Sequence, residues 1–432
     1  MIRGSKPMDN DIVIADLGLI TETTLGQDLF NPVHINYTAV LDHEIDEKLL
    51  KRAWDRVKKV YPVLDTVLKL ESGSVEFYMD PEVRAAHAND HAYLIAAENG
   101  NNVPIKSKVP IEPGCELVGK RLISVSYYDN SVTLSAYHAL LDGGGLNIVF
   151  TSMLYVYLAL YTGHEDKEPV VDLTEGRTVR DYYQGATLEY VFSQGYTPVP
   201  LYTLPLGCIG FRDSDMVRDH DSIAAGTLNI PVKNFINFCK DNGASPSSMM
   251  CALLAKAAYS LNPDVRDDIV FDVTVSVRKI LGLDNTIANS VGLAVAYTTY
   301  EDIMNKSLSE ISQKIRSDVD LQRTRDYYLS FRRVFCTYKH SPMYKSRTVT
   351  YIGKLDVGDN NHHIIDFDLG TNSLYNLFMM QLNDKFILSL YHGKATEKYM
   401  NELVKLFDEF GIKAEVKTPV HNIPTDSKTP VL

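Results

Sequence analysis

The sequence predicts an α/β (α+β) protein in two lobes. Three observations carry this. Val132-Thr133-Leu134-Ser135-Ala136-Tyr137 alternates apolar with small or polar residues, the period of a half-buried strand. Past the glycines Gly143-Gly144-Gly145, Leu146 to Tyr161 is long, apolar and rich in helix formers, and it stops at the cap Thr162-Gly163. Finally, 432 residues at 45% hydrophobic content supply enough core for two domains. The pattern fades between Gly163 and about Ile223, where Pro198, Pro200 and Pro205 mark a crossover.

Taken in order, Ile12 to Phe30 has no strong period. Val33 to Leu41 alternates and reads as a strand. Asp46 caps a helix that gathers Leu49, Leu50, Ala53, Trp54, Val57 and Val60 on one face. Val67–Leu70 and Val75–Tyr78 suggest a hairpin about Ser72-Gly73-Ser74. Leu122–Tyr128 and Ser131–Tyr137 form another about Asp129-Asn130. Beyond the crossover, Gly226–Ile230 reads as a strand, followed by helices over Val232–Asp241 and Ser247–Leu261. Ile269, Phe271, Val273, Val275 and Val277 share one face of a strand that Arg278 terminates. Phe378–Leu382 and Phe386–Tyr391 make a hairpin, and Thr396 caps a last helix ending at Gly411. Pro419, Pro424 and Pro430 mark a loose tail. The expected divisions are 1–175, a linker 176–223, a second lobe 224–416 and a tail 417–432.

The chemistry gathers at the end of the first lobe's last strand. His138 stands where that strand stops, and Asp142 lies four residues on, in the glycine turn. An imidazole titrates near neutrality, so it can take a proton from a hydroxyl or amine and return it. A rigid strand aims it, and the glycines let a ligand approach the backbone. A plainer reading makes His138 a satisfied half-buried residue and the glycines a simple turn. The strand–turn–helix setting favours the functional reading.

His-x-x-x-Asp-Gly on such a turn resembles the chloramphenicol acetyltransferase superfamily, in its two-lobed branch of condensation domains, BAHD-type plant acyltransferases and alcohol acetyltransferases. The resemblance spans about residues 10 to 412, and the His138 motif is its one specific element. It implies two chloramphenicol acetyltransferase-like lobes, each a mixed β-sheet flanked by helices, with an active-site channel between them. Condensation domains follow Pro-x-Leu with an arginine that pairs with the motif aspartate; here that residue is Asp65. Two-lobed members also show a strand ending in arginine, then a loop, then asparagine before an apolar strand. Arg278 and Asn289 match these positions, which makes Arg278 the expected partner of Asp142. Thr350-Tyr351-Ile352-Gly353 stands where alcohol acetyltransferase-like members carry Ser-Asn-x-Gly, and no Asp-Phe-Gly-Trp-Gly of the plant type is present.

The resemblance implies an acyltransferase acting through a ternary complex. His138 deprotonates the hydroxyl or amine of a small-molecule acceptor, which attacks a thioester carbonyl, and hydrogen-bond donors meet the oxyanion. Asp142 and Gly143 complete the catalytic motif. Tyr137, Gly144, Asn289, Thr350 and Tyr351 are the candidates for oxyanion or substrate contacts. Acyl-coenzyme A is the expected co-substrate, with no permanently bound cofactor. A free-standing condensation-type enzyme with a carrier-protein donor is the first alternative. A non-catalytic lobe pair that binds a ligand or partner is the second.

A net charge of −12 without a basic run argues against nucleic acid, and it leaves any phosphate site to local residues. Cys115, Cys208, Cys239, Cys251 and Cys336 are scattered and odd in number, as in the reduced thiols of a cytoplasmic protein. No apolar run is expected to span a membrane, and Asp9, Asp11 and Asp16 interrupt any signal-peptide core; Met8 is an alternative start. His87 and His91 flank Asp90 at helical spacing, but without a third ligand they read as a polar loop or solvated helix face, so no metal is expected.

Overall fold

In the computed structural model most element ends fall where capping and turn residues put them. The structure describes residues 12–13, 34–71, 91–96, 102–108, 110, 121–138, 140–166, 168–178, 193–205, 210, 222–284, 286–338, 346–371, 376–392 and 395–424. In chain order the elements are β1 (Ile12–Val13), β2 (His34–Leu41), α1 (Glu47–Val60), β3 (Thr66–Glu71), β4 (His91–Ala96), β5 (Ile105–Lys106), β6 (Ile123–Tyr128), β7 (Ser131–Tyr137), α2 (Gly143–Thr162), β8 (Ser222–Pro231), α3 (Val232–Asp241), α4 (Pro246–Leu261), β9 (Ile269–Ser276), α5 (Arg278–Leu281), β10 (Val291–Thr298), α6 (Tyr300–Asn305), α7 (Leu308–Gln322), α8 (Arg325–Tyr338), β11 (Ser346–Leu355), β12 (Ile364–Thr371), β13 (Asn376–Leu382), β14 (Lys385–Tyr391), α9 (Thr396–Glu409) and β15 (Glu415–Pro424).

The chain forms two units. The first comprises Met1–Gly195, Gly282–Ser290 and Asp356–Thr371, and the second Tyr196–Leu281, Val291–Leu355 and Asn372–Leu432. The expected single cut between lobes therefore gives way to two returns of the later chain into the first unit. The reason is pairing: β12 adds to β2 as an antiparallel neighbour, with Ile364 opposite Leu41 and Thr371 opposite Ile35. Local sequence period makes a strand but cannot name a partner more than 300 residues away.

In the first unit a five-stranded sheet runs β12-β2-β7-β6-β5. It is antiparallel except where β5 joins β6. A smaller antiparallel sheet has the order β1-β4-β3. Asp46 caps α1 by accepting from the Lys48 and Leu49 N–H groups. The helix turns Leu50, Ala53, Trp54, Val57 and Val60 inward and packs against α2. The Trp54 indole N–H donates to the Asn102 carbonyl at 2.9 Å, so its polar handle is satisfied in the core.

The α2 helix corrects one expectation. By length and composition it is apolar enough to cross a membrane, and two thirds of its apolar window is buried inside the protein (67%). A helix that is apolar on every side suits a core as well as a bilayer.

The second unit holds a seven-stranded mixed sheet, β10-β9-β11-β13-β14-β8-β15. Its β9–β11 and β11–β13 pairs are parallel. Met250, Leu253, Leu254 and Ala257 of α4 and Leu403 and Phe407 of α9 join the apolar residues of these strands in one core. Cys239 and Cys251 lie in it as free thiols. Burial pushes the Cys239 thiol up to about 12 and Cys251 higher still.

Further differences concern the ends and the histidines. Residues 415–424 form β15 on the free edge of β8, with register shifts near Thr418 and His421, where a loose tail was expected. Proline is tolerated on such an edge strand because its missing N–H faces away from the ladder. Residues 425–432 lie outside the described residues. His91 opens β4 rather than a helix face, while His87, Asp90 and the Ser72–Tyr78 hairpin also lie outside.

Candidate functional site

The inner strand β7 pairs with β2 on one side and β6 on the other, and it buries Val132 through Tyr137. His138 is the first residue beyond it, in a turn tightened by the Leu140 N–H donating to the Tyr137 carbonyl at 3.0 Å. The chain then enters α2 at Gly143, not at Leu146 as expected, so the three glycines form the helix's first turn. Asp142 is the N-cap. Its Oδ1 accepts from the Gly145 N–H at 2.7 Å, and its carbonyl accepts from the Leu146 N–H at 2.8 Å. The N–H groups of Gly143 and Gly144 precede the helix's own bonds and point out of its positive end.

A second segment of the same unit closes on this turn. The Ser290 N–H donates to the other Asp142 oxygen, Oδ2, at 2.8 Å. Leu141 and Ala288 form an antiparallel bridge. The Asn289 side-chain amide donates to the His138 carbonyl at 3.4 Å. Asn289, proposed from sequence as an oxyanion donor, thus holds the backbone of the histidine turn. From the sheet below, the Tyr37 hydroxyl donates to the Gly143 carbonyl at 2.9 Å. Sequence reading missed Tyr37 and Ser290: Ser290 acts through its backbone, and Tyr37 looks like any inward residue of an alternating strand.

The remaining expected site residues fall in other elements. Tyr137 is a core residue at 2% exposure. Asp65 ends a 3-10 turn, Pro62–Asp65, and pairs with Lys58 at 3.4 Å. Arg278, Thr350 and Tyr351 belong to the second unit. Arg278 opens α5 and is buried at 7% exposure. Thr350 and Tyr351 lie on β11 just before a register shift at Gly353, whose φ of +116° only glycine adopts readily. The Tyr351 ring stacks on Phe386 with centroids 5.4 Å apart.

No protein-family model matches the chain, and no curated protein sequence matches it. Solved structures do. TRI101 of F. sporotrichioides, in complex with coenzyme A and T-2, is 12% identical, with a TM-score of 0.62 over 94% of this chain and 99% of that one. Polyketide synthase associated protein 5 of Mycobacterium tuberculosis is 15% identical, with a TM-score of 0.61 over 92% and 98%. The first condensation domain of the CDA synthetase is 13% identical, with a TM-score of 0.55 over 91% and 93%. The chain shares the fold of these structures.

Within that fold His138 has a defined electrostatic setting. Its Nδ1 is enclosed. Burial pushes the imidazole pKa below its ordinary value; the His138 and Leu141 carbonyls and the Asp142 carboxylate pull the other way without reversing it. That direction favours the neutral ring at pH 7. His392 is buried in the second unit and is lowered further by the same desolvation and by the Arg347 cation. The sign for stability follows. Below the ordinary histidine value, about 6.5, the unfolded chain binds protons that these folded histidines resist, so stability falls as pH falls through that range. Urea midpoints measured at pH 7.5 and near pH 5.5 are expected to be lower at the acid value, and equal midpoints would contradict the burial assigned to both rings.

Proposed function

We propose that the chain is an acyltransferase that moves an acyl group from a thioester donor to a hydroxyl or amine of a small-molecule acceptor. The carrying observation is the half-buried His138 at a strand end, in a turn held by Asp142 and the 286–290 segment. His138 Nε2 takes the acceptor proton as the acceptor oxygen or nitrogen attacks the thioester carbonyl. The carbonyl oxygen becomes an oxyanion, for which the Gly143 and Gly144 N–H groups are the donors nearest the base in sequence. The carbon–sulfur bond then breaks, and the imidazolium returns the proton to the leaving thiolate. Thr350 and Tyr351 remain further candidates for substrate contacts, and Arg278 is the proposed partner of Asp142.

Acyl-coenzyme A is the proposed donor, because TRI101 of similar fold was solved with coenzyme A. The likeness to a condensation domain and to the epimerization domain of tyrocidine synthetase B favours a second reading, a carrier-protein thioester as donor. A thiol-release assay with acyl-coenzyme A and alcohol or amine panels tests the first. Thiol release only from carrier-bound donors would transfer the reading to the second, and no acceptor-dependent release from either would overturn both.

Direct transfer also predicts that no stable acyl-enzyme forms. The sequence holds no G-x-S-x-G elbow. Cys239 and Cys251 are kept as thiols by burial, and the thiolate is the nucleophilic form. Intact mass after incubation with donor alone is expected to be unchanged, and a stoichiometric acyl adduct would contradict the mechanism.

A further inference from the structure

Asp42, His43 and His363 meet in a cluster that the proposed reaction does not use. Register brings them together. Ile364 opens β12 opposite Leu41, the last residue of β2, and the Asp42 N–H donates to the His363 carbonyl at 3.1 Å. The Asp42 carboxylate then stands between two imidazoles, with Oδ1 2.6 Å from His43 Nδ1 and Oδ2 2.9 Å from His363 Nδ1. One potential ligand atom from each residue lies within 4.8 Å of the others.

The rings are held in place. His43 lies flat on Tyr161, with centroids 3.6 Å apart and planes 5° from parallel. Its side chain is only 11% exposed, and that of His363 only 18%. His43 Nε2 is 3.3 Å from the Tyr157 hydroxyl, whose oxygen already accepts from the Asp46 N–H at 3.0 Å. That oxygen has a second lone pair, which can accept an Nε2–H. In that tautomer His43 Nδ1 carries a lone pair directed at the carboxylate and the second imidazole. An outer oxygen that fixes the tautomer is the usual companion of a metal-binding histidine.

We propose that Asp42, His43 and His363 form a zinc-type site for a divalent transition metal ion. Two imidazole nitrogens and one carboxylate oxygen suit such an ion, and three protein ligands leave a position for water. Bonds of about 2.0–2.2 Å to a tetrahedral ion separate its ligand atoms by roughly 3.3 Å. The nitrogen–oxygen distances, 2.6 Å to Oδ1 and 2.9 Å to Oδ2, therefore need to open by only about 0.7 and 0.4 Å. The ion takes the place of the protons that otherwise bridge these atoms.

Position assigns the ion a structural task. The β2 strand starts at His34, opposite Tyr137, and its eight residues cover roughly 24 Å to Leu41. The cluster thus lies at the opposite end of the strand from the His138 turn. Metal there would staple the turn after β2 to the 358–363 segment, far along the chain, without entering the reaction. This proposal stands independently of the acyltransferase reading.

The test uses the full chain, stripped by a chelator and titrated with zinc chloride in competition with a chromophoric zinc chelator. One saturable equivalent is expected for the wild type. His363→Ala and Asp42→Asn are each expected to weaken that equivalent at least roughly tenfold, and Tyr157→Phe, which removes only the outer oxygen, to weaken it by a similar factor. Zinc should raise the unfolding midpoint of the wild type but not of Asp42→Asn. Circular dichroism identifies any variant that has not folded, and Asp42→Asn and Tyr157→Phe keep the side-chain shape. No saturable equivalent in the wild type, or binding undiminished in folded Asp42→Asn and His363→Ala, would overturn the site and leave a proton-bridged cluster.

Discussion

Replacing His138 with alanine is expected to lower acyl transfer by roughly a hundredfold or more, the range typical of a lost general base. The fold should survive, because the side chain is half-buried and the variant leaves in place the Asp142 bonds that anchor the turn. The loss should fall mainly on kcat, since the proton moves only as the acceptor attacks. The wild type should also lose activity as pH falls below about 6.5, because burial keeps the imidazole neutral only down to a value beneath that. Near-normal turnover by a folded His138→Ala variant would remove the base from the mechanism.

The largest stability effect is expected at Asp142. Its side chain is fully buried, at 0% exposure, and both carboxylate oxygens accept backbone N–H groups. Asp142→Ala removes an N-cap, at a cost of about 1 kcal/mol. It also strands the buried Ser290 N–H, at about 1–3 kcal/mol more. A total of roughly 2–4 kcal/mol should appear in the urea midpoint. Activity should fall as well, since the 286–290 segment and the histidine turn lose their shared anchor. Asp142→Asn separates the two contributions. Its amide oxygen can cap Gly145 or receive Ser290, but its NH2 group cannot accept from the other, so it should recover only part of the loss. For the proposed Arg278 pairing, Arg278→Ala should also lose activity, and the double variant should be little worse than either single. Additive losses would reject the pairing.

Particular residues show what the sequence made legible. Asp46, Gly163, Asn242-Gly243 and Asp129-Asn130 act through backbone conformations that they favour locally, so helix ends and hairpin turns fell where expected. The capping box of Ser307 and Glu310, which opens α7, was equally readable and was missed, as was the alternation of β12. Long-range pairing was not readable. Nothing near Ile364 states that β2 is its neighbour, and this one pairing undoes the simple two-segment division and brings His363 to Asp42. The site divided along the same line. His138 and its glycine turn were visible because the motif is contiguous. Two of the bonds to Asp142 come from the backbone N–H groups of Gly145 and Ser290, and these were not foreseen, because backbone donors carry no residue signature.

The most direct measurement is a structure of the full chain with coenzyme A and an alcohol or amine acceptor bound. The account predicts the acceptor oxygen or nitrogen within hydrogen-bond reach of His138 Nε2, about 2.6–3.2 Å, with the coenzyme thiol beside it. Acceptor and thiol bound together away from His138 would contradict it.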